Sequence, residues 1–216
     1  MADTSIEKST SENRFIIHGL NFLIIPKGQQ ELCPALSIAL SFADLTGFVS
    51  RGTGHGVLFF SLENNREETE QVLAQYNDIH ENITVIYAYE EGAFGDKIED
   101  GLNVFLQDNP RIKMVVVDSL EKILEGETGN VEYGYAYKKL CAIKNVADKH
   151  DAVLLVVTHT KVPESSRLAS VADTVLNINK NGNEYTLHVA GKNIPEKEII
   201  ITFEPERYSW KPVTTK

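Results

Sequence analysis

Cysteine, tryptophan and methionine are scarce in this chain, at two, one and two of 216 residues. Two cysteines cannot build a disulfide scaffold, and Cys33 and Cys141 sit in apolar helical patterns, which favours free buried thiols. Basic charge is also short: 21 Lys and Arg stand against 31 Asp and Glu, a net charge of −10. That balance excludes a diffuse phosphate-hugging surface and leaves DNA contact possible only through a local channel. No apolar run reaches the ~18 residues of a membrane helix, so no membrane partner is expected. The opening MADTSIEKSTSEN lacks the basic start and apolar run of a secretion signal. It reads as a disordered tail over residues 1–13, ahead of one domain over 14–216, in a cytoplasmic protein. There is no G-x-S-x-G nucleophile elbow. The six histidines show no metal spacing with one another or with the cysteines.

What the chain does have is a series of short, nearly continuous apolar runs separated by helical periodicity. Phe22–Ile25, Gly56–Glu63, Ile83–Tyr87, Ile112–Asp118 and Ala152–Thr158 read as buried strands, with a further strand expected over Arg14–His18 around a Gly19 turn. Helices are expected from Pro34 to Gly47, over Arg66–Tyr76, over Asp96–Gln107 and from about Tyr135 to His150. Apolar strands alternating with helices imply a mostly parallel sheet covered on both faces. After Asp173 the pattern changes. Thr174–Ile178 and Glu184–Val189 flank Asn181-Gly182, a hairpin signal, and Glu198–Phe203 reads as a third strand. The expected fold is therefore α/β with an antiparallel C-terminal extension.

In open parallel sheets ligands bind at the carboxyl ends of the strands. Three strands place a polar residue there: Glu63, Asp118 and His159. A fourth runs into the loop Pro26–Leu32, and the whole stretch NFLIIPKGQQELCPALSIALSFADLTG (Asn21–Gly47) has the strand–loop–helix shape that holds phosphate in nucleotide-binding proteins.

Together these features resemble the RecA-like ATPase domain of the hexameric helicase branch, which includes DnaB-type and plasmid RepA-type proteins. The resemblance covers about Gly19 to Trp210. VLFFSLENNREETEQVLA (Val57–Ala74) is similar to the strand–helix carrying a water-activating glutamate, which maps to Glu63. MVVVDSLEKI (Met114–Ile123) resembles the motif whose aspartate orients magnesium, mapping to Asp118. GYAYKKLCAIKNVADKHDAVLLVVTHTK (Gly134–Lys161) is similar to the segment ending in a sensing histidine, His159, with Lys161 two residues on. The resemblance of Val171–Trp210 to the closing strands implies a basic finger at Lys192 that would reach a neighbouring subunit's nucleotide.

The phosphate loop departs from that pattern. With Gly28 aligned on an internal glycine, Glu31 falls at the lysine position and Leu32 at the magnesium-binding Ser/Thr, with Gln30 at the preceding glycine. A unit charge at ~4 Å is worth about 1 kcal/mol in water and about 4 at an effective dielectric of 20. A lysine-to-glutamate reversal beside a triphosphate therefore costs several of those units. Beside Lys192, the arginine the family would carry is replaced by Asn193 or Ile194. The loops that would face DNA are Glu125–Glu132, with three glutamates, and Val162–Ser170, with Arg167 alone. Lys138, Lys139, Lys144 and Lys149 read as a solvated helix face.

The resulting expectation is a degenerate, non-hydrolysing RecA-like domain without cofactor. It would serve as a scaffold or regulatory subunit in DNA replication, recombination or mobile-element maintenance. Its partners would be itself, a related RecA-like ATPase in an oligomer, or a replication or recombination protein. One alternative is a divergent NTPase that uses ATP and magnesium through Glu63 and Asp118, with Lys27 or Lys161 replacing the missing lysine. Another is a nucleic-acid or small-ligand module on the same fold.

Overall fold

The structure is a computed structural model that describes residues 16, 18–25, 34–43, 56–63, 66–74, 82–87, 97–124, 133–160, 167–204 and 209–213. Among the described residues nine strands form one sheet: β1 (Leu20–Ile24), β2 (Gly56–Ser61), β3 (Ile83–Tyr87), β4 (Ile112–Asp118), β5 (Val153–Thr158), β6 (Thr174–Asn181), β7 (Glu184–Gly191), β8 (Ile194–Glu204) and β9 (Ser209–Pro212). Their order is β3-β2-β4-β5-β1-β6-β7-β8-β9. The first six in that order run parallel, and the last three add antiparallel.

The described helices are α1 (Pro34–Ala43), α2 (Arg66–Leu73), α3 (Ile98–Asp108), α4 (Leu120–Leu124), α5 (Tyr133–Lys149) and α6 (Arg167–Val171). Alternate side chains of each strand enter opposite cores, as the two-residue period of a pleat requires. Leu23, Phe59, Val116 and Leu155 join Leu36 and Ala39 of α1 on one face. Phe22, Phe60, Val117 and Leu154 join Leu102 of α3 and Leu140 of α5 on the other. Both faces are thus buried, which is why β1, β2 and β5 read as nearly continuous apolar runs.

Helix ends follow local chemistry. Glu99 and Asp100 lie in the first turn of α3, where the positive end of the helix dipole favours them. Asn109 closes its other end, both its backbone N–H and its side-chain amide donating to the Phe105 carbonyl (3.0 and 2.9 Å). At the end of α5 the N–H of Ala152 reaches Ala147 O (2.9 Å) and that of Asp151 reaches Asp148 O (3.1 Å). With Asp151 at φ 53°, this is a Schellman closure built on a non-glycine residue.

Three expectations need correction. Thr174 begins a strand that belongs to both regimes: β6 is parallel to β1 and antiparallel to β7, so the antiparallel extension starts one strand later. The hairpin loop is Gly182-Asn183, with Asn181 still paired to Glu184. Gly182 alone there has positive φ (63°), the requirement of a type II′ turn with glycine first. The second DNA-facing loop expected over Val162–Ser170 becomes helical at Arg167, as α6. Of the Arg14–His18 strand, only a single bridge at Ile16 falls among the described residues. The N-terminal tail, Cys33, the helix end at Gly47 and the Glu125–Glu132 loop lie outside them. Trp210, read as a packing residue, is buried edge-on against Tyr185 (4.8 Å between ring centres) and beside Phe203 (5.4 Å).

Candidate functional site

Strands β2, β4, β5 and β1 are successive neighbours and parallel, so their carboxyl ends share one edge of the sheet. Asp118 is the last residue of β4, opposite Ser61 of β2. Its carbonyl accepts from the N–H groups of Leu62 (2.6 Å) and Glu63 (3.2 Å), which folds the chain after β2 across the end of β4. On the other side Ile25 donates to Thr158 O (2.9 Å), and the His159 ring returns the tie through Nδ1 to Ile25 O (3.0 Å). Glu63, Asp118 and His159 consequently converge, one ligand-capable atom from each lying within 4.8 Å of the others. Asp118 and His159 are buried, whereas the Glu63 side chain is 24% exposed.

His159 Nε2 stands 2.5 Å from Glu63 Oε2. At that distance the imidazole and the carboxylate are direct partners. A carbonyl can only accept, so Nδ1 carries the proton that faces Ile25. Nε2 is left turned toward the two carboxylates.

Sequence reading overlooked Glu121, which holds this histidine in place. From the first turn of α4 its Oε1 accepts from Thr158 Oγ1 (2.7 Å), the His159 backbone N–H (2.9 Å) and Thr160 Oγ1 (3.2 Å). Burial pushes the Glu121 pKa up, but the hydroxyl of Thr158 and the N–H of His159 outweigh it and hold the carboxyl below its ordinary value. An acid three residues past a strand end was the available signal, though nothing local said where its oxygens point. Ser61 Oγ meets Thr69 Oγ1 of α2 (3.2 Å), both buried, and anchors that helix to the end of β2.

The remaining candidates separate. Lys27, Gly28, Glu31, Leu32 and Lys161 lie outside the described residues. Lys192 sits in the turn between β7 and β8, where its Nζ meets Asp173 Oδ1 (3.3 Å). Asp173 immediately precedes β6 and its Oδ2 accepts from the N–H of Leu20, the first residue of β1 (2.9 Å). Lys192 therefore occupies the amino-end edge of the sheet, opposite the Glu63–Asp118–His159 cluster of its own chain. The lysine face of α5 is largely engaged within the protein. Lys139 approaches Glu99 (3.9 Å), Lys144 pairs with Asp148 (2.9 Å) and Asp173 (3.1 Å), and Lys149 bonds Asn103 (2.8 Å). Among the described residues no helix is long and apolar enough to cross a membrane.

No family model and no curated protein matches the chain. Solved structures do. A KaiC-like protein from the hyperthermophilic archaeon Pyrococcus horikoshii superposes with TM-score 0.60 at 13% identity, over 91% of this chain and 89% of that one. A DnaB-like replicative helicase, solved in a study of its interactions with primase, superposes with TM-score 0.67 at 15% identity. That match again covers 91% of this chain but only 58% of the helicase, so the chain spans little more than half of that protein's length. Identities this low speak to architecture alone, and the architecture is the RecA-like α/β fold.

Proposed function

We propose that this chain is a RecA-like domain that does not hydrolyse ATP and works as a scaffold or regulatory subunit in DNA replication, recombination or mobile-element maintenance. The observation that carries the reading is a contrast between the cluster and the sequence of the loop after β1. Glu63, Asp118 and His159 converge at the strand ends, while the adjoining loop has Glu31 and Leu32 where a lysine and a magnesium-binding hydroxyl would be needed. The donor set also suits magnesium poorly. That ion prefers oxygen ligands in near-ideal octahedral geometry, and here an imidazole nitrogen crowds one carboxylate at 2.5 Å.

Partners consistent with the fold are another copy of the chain, a related RecA-like ATPase, or a replication protein. With a net charge of −10, DNA would have to meet a local surface or a partner's. The convergent triad favours one rival, a divergent NTPase in which Glu63 activates water, Asp118 orients a metal and Lys27 or Lys161 supplies the missing cation.

Titration with a fluorescent ATP analogue plus magnesium, followed by a turnover assay with and without single-stranded DNA, separates the two. The scaffold reading expects neither binding at micromolar nucleotide nor turnover. Micromolar binding that Asp118→Ala abolishes would overturn it in favour of the rival. The combined change Gln30→Gly, Glu31→Lys and Leu32→Ser is expected to restore nucleotide affinity. No gain would mean that the loop is aligned wrongly.

A further inference from the structure

We infer that Glu63, Asp118 and His159 form a binding site for a divalent transition-metal ion, taken up directly from solution without nucleotide. Three independent features point to it. The first is the donor set: one imidazole nitrogen and two carboxylates on three adjacent strand ends, all within 4.8 Å. The second is the histidine's preparation. Its ring is 3% exposed, and its Nδ1–H is committed to the Ile25 carbonyl at 3.0 Å, the kind of outer bond that orients metal-ligating histidines and fixes their tautomer. The third is that buried Nε2 faces into the cluster and meets the Glu63 carboxylate directly at 2.5 Å, so two of the three donors already point at common ground.

Bonds of about 2.0–2.1 Å set neighbouring ligand atoms about 3.3 Å apart around a tetrahedral ion. Separations between 2.5 Å and 4.8 Å bracket that value. The needed adjustment falls on Glu63, the partly exposed member at the start of a turn, while Asp118 and His159 stay on the rigid sheet. Glu121 fixes the His159 backbone from behind at 2.9 Å, so the nitrogen donor is held before the ion arrives. Water would complete the coordination. An imidazole ligand selects zinc and its neighbours over magnesium and calcium. The inference stands on this geometry alone and holds whether or not the chain acts as a scaffold.

Zinc chloride titrated into the full chain by calorimetry, with nucleotide absent, tests it. The expected result is one equivalent bound, unaffected by a large excess of magnesium, with cobalt giving a low-symmetry visible spectrum at the same stoichiometry. Glu63→Gln changes a partly exposed side chain and should leave the fold intact, which circular dichroism checks. It and Asp118→Asn should each weaken binding by at least the ~10-fold that loss of even an outer-shell partner costs. His188→Ala, at the surface pair of His188 and Glu196, should change nothing. Nitrogen NMR should show Nε2 of His159 shifting on zinc addition while Nδ1 stays protonated. Absence of binding would overturn the inference and leave a plain histidine–carboxylate pair, and binding indifferent to Glu63→Gln and Asp118→Asn would overturn it equally. Because no nucleotide is present, either failure leaves the scaffold reading untouched.

Discussion

Asp173 is the residue on which the amino-end edge of the sheet depends. Its Oδ2 accepts from the Leu20 N–H (2.9 Å) and faces Lys144 (3.1 Å), and its Oδ1 faces Lys192 (3.3 Å). Gly19 lies against it, at φ 106°, where a side chain would strike the carboxylate. Burial pushes the Asp173 pKa up, but the Leu20 N–H and the Lys144 ammonium overcome it, so the carboxyl titrates below its ordinary value. Lys144 is the mirror case: burial lowers its pKa, and Asp148 and Asp173 raise it beyond the ordinary value. The signs differ accordingly. The Asp173 contribution is complete above the unfolded-state value near 4 and lost as pH falls through the lowered folded value. The Lys144 contribution is complete below about 10.4 and lost as pH rises through the raised one. Asp173→Asn should cost roughly 1–2 kcal/mol at neutral pH and flatten both limbs of a thermal-unfolding profile against pH. Glu121 makes a second residue-scale prediction. Glu121→Ala strands the Thr158 hydroxyl and the His159 N–H, and should cost about 1–3 kcal/mol. The His159 ring signals in NMR should shift with it, a readout that a remote packing defect would leave alone.

At the scale of elements, the end of α5 carries a correctable strain. Asp151 holds the left-handed conformation (φ 53°) that the closing turn demands, and its side chain meets His18 (3.1 Å) with both groups exposed. A pair so exposed returns little, whereas a left-handed L-residue costs about 1–2 kcal/mol. Asp151→Gly should therefore stabilise the protein by about 0.5–1 kcal/mol, less than the full strain because glycine also loosens the unfolded chain. Denaturant titration with an unchanged slope is the measurement that checks it. The periodicity of α3 and α5 was legible because each buries one stripe: Leu102 and Leu106 in the first, Leu140, Ile143 and Ala147 in the second. The short helix α4 was not legible. Five residues carry too little periodicity, and its start depends on where β4 ends.

The whole molecule rests on one sheet with a core on each face, and β5 supplies both. Leu154 enters the core under α3 and α5, Leu155 the core under α1. Either change to alanine should cost about 2–5 kcal/mol, the usual range for a fully buried leucine. The two losses should appear in one cooperative transition, since the same strand transmits both. Two separate transitions in denaturant would mean that the layers melt independently. Lys192 also matters at this scale. It lies on the edge opposite the cluster of its own chain, so any nucleotide-directed role for it requires a neighbouring subunit, and native mass measurement would show whether one is present.

The sequence alone determined the strands, since burial on both faces forces runs such as VLLVVT and IKMVVVD. It also determined which polar residues end them, because a carboxylate or histidine closing an apolar run is a local signal. Glu63, Asp118 and His159 were readable for that reason. Only the tertiary structure decided that the three belong to one cluster. Parallel pairing in the order β2-β4-β5-β1 brings together carboxyl ends far apart in the chain. It likewise decided that Glu121 grips the histidine backbone, that Thr174 opens a strand shared by two pairing regimes, and that Lys192 faces away. Each of these depends on hydrogen bonds between distant segments, and no local propensity encodes which distant partner a backbone group will find.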